Sequence, residues 1–323
     1  MLNSKPMKIV DNYSYLGEVI NNGGLSLSNK ATIDKRYGLA LKSVFEIKSI
    51  VEDTRNFQPG GIVTGFEIWE KAVLPAFLYN ADCWINLSKE CLNKLNTLQE
   101  SFYRAILCVG KGCPKPALYF FTGGLLMKWR IIMKKLRLMH HIAHLEENSL
   151  ANEIFNEERR LEIPGLWQEC KDYLKELSIP LEDFFHSSKN QWKKKTEVTI
   201  KDYNERDLLN EIKGYKKLKY DELIDEGCEM KEYFKLYTLK DARTKFAMDT
   251  KMLPSVKSHF PSEKCFMDNL LKCEKCERID TISHIKICPG YEKLREGKDM
   301  DQEINVIHYF QEVLKSRMEI DTK

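Results

Sequence analysis

The sequence predicts a mainly α chain with a short N-terminal β segment and a small C-terminal Cys-Cys-His-Cys module. Three observations predict it. Gly and Pro are sparse, 16 and 10 in 323 residues, which favours long uninterrupted elements over a turn-rich β chain. Apolar residues recur at three- and four-residue steps over most of the length, the period of an amphipathic helix. Near the C-terminus, Cys273, Cys276, His284 and Cys288 stand at the spacings of metal ligands.

Composition bounds the rest. At 43% hydrophobic and 31% charged, the chain can bury cores and is not a disordered tail. A net charge of only +3 falls short of a strongly basic nucleic-acid-binding domain, so any such contact must come from local patches. Most of the ten cysteines lie alone in apolar helical stretches, where a reduced Cys acts as a small hydrophobe. A disulfide framework would be denser and in a shorter chain. The N-terminus lacks an apolar signal core, and no apolar run approaches the ~18 residues of a membrane span. The expected setting is soluble and intracellular, in nucleus or cytoplasm, with no membrane partner.

Residues 8–20 are rich in β-branched and aromatic residues and read as one or two short strands with Gly17 as a break. After the Asn21-Asn22-Gly23-Gly24 loop, Ile33, Tyr37, Ala40, Leu41, Val44, Ile47 and Ile50 mark a helix over 28–52. Pro59-Gly60-Gly61 ends it. An apolar helix over 62–85 follows, with a kink expected at Pro75, whose ring removes a backbone donor. Ser88 is the expected N-cap of a helix that turns Leu92, Leu95, Leu98, Phe102 and Ile106 inward and ends at Gly110. Beyond a Pro114/Pro116 loop and Gly123-Gly124, a basic helix over 126–146 sets Lys128, Arg130, Lys134, Lys135 and Arg137 beside Trp129, Ile132 and Leu136. Helices are expected over 149–161, 165–177, 182–203, 231–250 and 303–317. The lysine-rich stretch 213–219 is a plausible domain boundary.

The Cys-His cluster has the sharpest chemistry. Cys273-x2-Cys276 places two thiolates on one tight turn. His284-x3-Cys288 puts an imidazole and a third thiolate on one helix face. Asp280 or Thr281 would cap that helix and Pro289-Gly290 would end it. Three sulfurs and one nitrogen make a closed tetrahedral shell for Zn2+, structural rather than catalytic because no position is open to water.

Other candidates are weaker. His140, His141 and His144 read as a polar helix face. Tyr79-Asn80-Ala81-Asp82 lacks the paired carboxylates of two-metal catalysis, and no Asp-Asp pair occurs in the chain. Three basic patches remain: Lys128 to Arg137, Lys193-Lys194-Lys195 beside Trp192, and Lys213 to Lys219. The metal segment adds Lys264, Lys272, Lys275, Arg278 and Lys286. Lysines beside tryptophans suit an unpaired nucleic-acid strand, on which aromatics stack.

These pieces, in order, resemble the C-terminal part of a non-LTR (LINE-type) retrotransposon reverse transcriptase. The matching residues are Tyr15-Leu16-Gly17; Ile33, Arg36 and Ala40; and the run from Leu74 to Asp82 with Trp84. Then come Leu98-Gln99, Phe102-x-Arg104-x-Ile106-Leu107, Pro116-Ala117-Leu118 and the terminal cysteine-histidine cluster. The resemblance implies a palm-end β remnant over 1–24, a helical thumb-like domain over 25–125 and a helical linker over 126–260. A zinc knuckle over 261–300 and a C-terminal helix over 301–323 complete it. It implies a fragment whose palm, with the catalytic aspartates, is missing, and so no catalysis. Weak, salt-dependent binding of RNA or DNA is expected through Lys128, Arg130, Lys134, Lys135, Arg137, Lys193, Lys194, Lys275 and Arg278. The alternative is a domesticated helical module that binds a protein partner on an exposed apolar thumb face.

Overall fold

Leu16 and Gly17 both take positive φ, 46° and 85°. This is the two-residue hairpin turn whose twist matches that of paired strands. It joins β1 (Asn12–Tyr15) to β2 (Glu18–Asn21), with Tyr13 opposite Ile20 and Ser14 opposite Val19. The remainder is mainly helical, and the Cys273/Cys276/His284/Cys288 cluster lies near the C-terminus. The computed structural model describes residues 10–55, 58–215, 218, 223, 225–250, 252, 273, 275–276, 278 and 282–320. The expected caps Asp280 and Thr281, Lys264 and Lys272, and residues 216, 217 and 219 of the 213–219 stretch lie outside them.

Helix α1 spans Leu25–Arg55, α2 Gly61–Ile68, α3 Leu74–Phe77, α4 Lys89–Leu107 and α5 Lys115–Phe120. Then follow α6 (Met127–Ala143), α7 (Leu150–Leu161), α8 (Leu166–Glu176), α9 (Leu181–His186) and α10 (Lys189–Ile212). The C-terminal set is α11 (Tyr233–Leu236), α12 (Leu239–Asp249), α13 (Ile282–Ile287), α14 (Glu292–Arg295) and α15 (Glu303–Ile320). Ser88 caps α4 as expected, its hydroxyl accepting from the Cys91 N–H.

The expected single helix over 62–85 is corrected. A wide π turn, Trp69–Val73, precedes Pro75, and Leu74 N–H reaches back to Trp69 O. Widening the turn ahead of the proline absorbs its missing donor and bulky ring. The helix then stops because Asn80 adopts the left-handed region at φ 57°. Likewise Cys108 (φ 55°), not Gly110, turns the chain after α4. Residues 231–250 form two helices, with Thr238 capping the second through the Asp241 N–H.

The chain gathers into two compact units, neither contiguous in sequence. The first comprises Met1–Glu46, Ile68–Phe102 and Gly123–Asn210; the second Ile47–Glu67, Tyr103–Thr122 and Glu211–Lys323. The segments 25–125 and 126–260 are therefore each shared between both units.

In the first unit, α6 is the centre. Trp129, Ile132, Leu136 and Met139 pack with Phe155 of α7, Trp167 and Cys170 of α8, Phe184 of α9 and Trp192 of α10. The Asn204 amide ties α10 to the start of α6 by accepting from Leu126 N–H and donating to Gly124 O. The Arg36 guanidinium donates to Gly17 O and Tyr79 O and pairs with Glu18, fixing the hairpin against α1 and the end of α3. Lys135, 1% exposed, pairs with Glu169 inside the unit. In the second unit, Phe66, Tyr103 and Tyr119 form an aromatic chain with centroids 5.1 and 5.0 Å apart. Arg243 donates to Ile106 O and Glu52.

Breaking the Lys135–Glu169 pair from one side strands a buried charge. Glu169→Ala should cost about 3–5 kcal/mol, while Lys135→Met with Glu169→Leu should recover most of that loss. Urea unfolding followed by circular dichroism reads both.

Candidate metal centre

The site is assembled from a turn, a short helix and the chain just beyond it. Cys273 N–H donates to Arg278 O and Cys276 N–H to Cys273 O, which curls the first ligand pair into a tight loop. Helix α13 presents His284, and Cys288 follows its last turn. Cys273 and Cys288 are 1% and 0% exposed, and His284 is 8% exposed. Cys276 is half-buried.

All four ligand atoms lie within 4.8 Å of one another. The Cys288 sulfur is 3.6 Å from that of Cys273 and 3.5 Å from that of Cys276. Cys276 Sγ stands 3.2 Å from His284 Nε2. Disulfides need about 2.05 Å, so these thiols are free. A tetrahedral ion with metal–sulfur bonds near 2.3 Å places its sulfurs about 3.8 Å apart. The donor set and its spacing fit one metal ion with no ligand position left over.

The thiols differ in character. The Arg278 backbone N–H pulls Cys276 below the ordinary thiol value. Burial pushes Cys288 up to about 11, and the Cys276 thiol beside it adds to the rise. A bound cation would have to displace that proton, so metal binding must weaken as pH falls.

Residues outside the ligand set hold it in place. Gly290 passes so close to Lys275 that an added Cβ would collide with the Lys275 Cβ. Only glycine lets the chain after Cys288 lie on the Cys273–Cys276 turn. Tyr309 of α15 donates to Ile285 O at 2.6 Å. Arg295 donates to Cys288 O at 2.7 Å. Tyr291, Val306, Tyr309, Phe310 and Val313 form one core with Cys273, Ile285 and Cys288. The C-terminal helix is thus part of the metal module, not a separate appendage. The helix over 303–317 was readable, but the place of Tyr309 beside the candidate ligands was not, because Tyr309 lies 24 residues from its partner Ile285.

The basic residues separate into two groups. Lys128 pairs with Glu176 at 2.6 Å, and Arg130 makes a bidentate contact with Glu70. Lys135 is buried on Glu169, and Arg137 reaches Glu197 at 3.6 Å. Lys134 is half-buried, whereas Lys193, Lys194, Lys275 and Arg278 are exposed. The expectation of base stacking at Trp129 and Trp192 is corrected. Both are 1% exposed, and their indole N–H groups donate to Asp207 and to Leu136 O. The polar-face reading of His140 is corrected too. It is buried, stacked between His144 at 4.1 Å and Trp192 at 5.1 Å, and burial lowers its pKa.

Metal removal should raise amide exchange in α13 and in α15, whose core shares two ligands, while α6 stays protected. Mass-spectrometric exchange with and without a chelator checks this. Gly290→Ala should reproduce the chelated pattern at saturating metal.

Comparison with known protein families, curated proteins and solved structures finds no match. A functional reading of this chain therefore rests on its motifs and on the metal centre itself.

Proposed function

We propose that this chain is a non-catalytic C-terminal region of a LINE-type reverse transcriptase that binds RNA or DNA weakly. In this reading Zn2+ fills the Cys273–Cys276–His284–Cys288 shell, as three thiolates and one imidazole favour. The ion's part is structural: it holds the turn that displays cations. The reading is supported by the order of motifs from Tyr15-Leu16-Gly17 to the terminal cluster.

The observation that carries it is the pair Lys275 and Arg278. Both are exposed on the metal turn, and among the described residues neither meets a carboxylate within ion-pair distance. Lys193 and Lys194 on α10 are a second exposed pair. By contrast, Lys128, Arg130, Lys135 and Arg137 are held by carboxylates and would have to break those pairs to contact phosphate. Among the described residues no helix is long and apolar enough to cross a membrane.

A second reading is a helical module that binds a protein. Tyr13, Tyr15, Leu16 and Ile20 of the hairpin and Leu39 and Phe45 of α1 are all more than half exposed. A stable complex that survives nuclease would favour this reading.

Binding to a structured RNA or a DNA duplex should fall as salt rises. Replacing both Lys275 and Arg278 by Ala should flatten the slope of log K against log salt by about 1–2 units. Lys128→Ala should leave the slope unchanged. Absence of binding at low salt contradicts the proposal.

A further inference from the structure

Helix α1 closes one edge of the hairpin and leaves the other open. Asn22 N–H donates to Asp11 O, and the register sets Asn12 opposite Asn21 and Ser14 opposite Val19. Antiparallel pairs alternate between bonded and non-bonded. Asp11 and Asn22 are bonded, so Asn12–Asn21 and Ser14–Val19 are the non-bonded pairs, and their backbone groups point away from the hairpin. On β2 those N–H groups are taken: Val19 donates to Thr32 Oγ1 and Asn21 to Ser28 Oγ, both at 2.8 Å. On β1, among the described residues, nothing meets the backbone N–H and C=O groups of Asn12 and Ser14, and the strand is exposed along its whole length.

Nothing in β1 defends that edge. Natural edge strands are blunted by a bulge, a proline or a charged residue, and Asn12–Tyr15 has none of these. The two faces of the strand differ. Tyr13, Tyr15 and Ile20 share the face turned from α1, and each is more than half exposed. On the α1 side, the exposed Lys35 ammonium donates to Ser14 Oγ at 3.2 Å. Asp34 pairs with Lys94 and Glu18 with Arg36, so among the described residues Lys35 has no carboxylate of its own.

We infer that the open edge of β1 takes an extended strand of another protein, antiparallel to it, with apolar side chains against Tyr13 and Tyr15 and a carboxylate against Lys35. Alternating N–H and C=O groups are matched by a peptide backbone; a phosphate backbone has no N–H to give the two carbonyls. A second copy paired through the same edge would bring two Lys35 ammoniums onto one face with no carboxylate between them. The inference gives a partner chemistry to the protein-binding reading above and rests on it, and it is independent of the RNA or DNA reading.

The test titrates the full chain with the blocked pentapeptide Thr-Val-Glu-Val-Thr and follows backbone amides by NMR. Saturable shifts are expected at Asn12 and Ser14 at millimolar peptide. The Gln analogue should bind about twofold weaker or more, and Lys35→Gln should abolish that difference. Methylating the Glu amide nitrogen, which would face β1, should lower affinity about fivefold or more, whereas methylating a Val nitrogen, which faces away, should not. Ser14→Pro removes the outward N–H and no bond within the hairpin, so it should reproduce the loss while the Val19 and Ile20 amides keep their positions. The methylated peptides decide the point without altering the chain. Shifts at Leu39 and Phe45 without β1 would leave a protein-binding module in place but overturn the edge assignment. Equal affinity of the two methylated peptides, no saturable shift, or a dimer of the chain that Ser14→Pro disperses overturns it as well.

Discussion

Three sulfurs and an imidazole nitrogen crowded within 4.8 Å are the constraint on which the C-terminal unit depends. Thiolates that close repel one another, and thiols that close gain little. Only a cation turns the crowding into attraction. The metal shell and the hydrophobic core are not separate structures here. Cys273 and Cys288 belong to both, so an ion bound there would fix residues that Val306, Phe310 and Val313 pack against. Helix α13 has six residues, far below the length at which a helix persists alone in water. Its hold comes from His284 and Cys288 on one side and the Tyr309 hydrogen bond on the other.

What was legible in the sequence was what is local. The Leu16-Gly17 turn, the Ser88 cap, the helix periodicities and the ligand spacing all lie within a few residues of their consequences. What was not legible depends on distant partners. The basic helix α6 reads as a cationic face until Glu70, Glu169, Glu176 and Glu197 arrive from elsewhere in the first unit. Trp129 and Trp192 beside lysines look like stacking platforms, yet both are core residues whose indole N–H groups are satisfied internally. Local composition cannot distinguish a lysine stem that covers a core from one that reaches for phosphate.

The two units show the same limit at larger scale. Helices α1 and α4 each contribute residues to both, so no single cut in the sequence isolates either. The break near residue 125 reads as a boundary because Gly123-Gly124 interrupts the helices there, but continuity of a core is set by contacts that sequence spacing does not encode. The π turn at Trp69–Val73 is a further instance: Pro75 announced a disturbance, and the packing of Trp69 on Phe102, centroids 4.4 Å apart, accompanies the form it took.

The central claim is a closed, metal-held shell of three sulfurs and one nitrogen that organises the C-terminal unit. X-ray absorption at the zinc edge of the purified chain tests it most directly. The account predicts one ion per chain, with three sulfurs at about 2.3 Å and one nitrogen at about 2.0 Å. A chain purified under reducing conditions without metal, or a shell containing water oxygen in place of a cysteine, would contradict it.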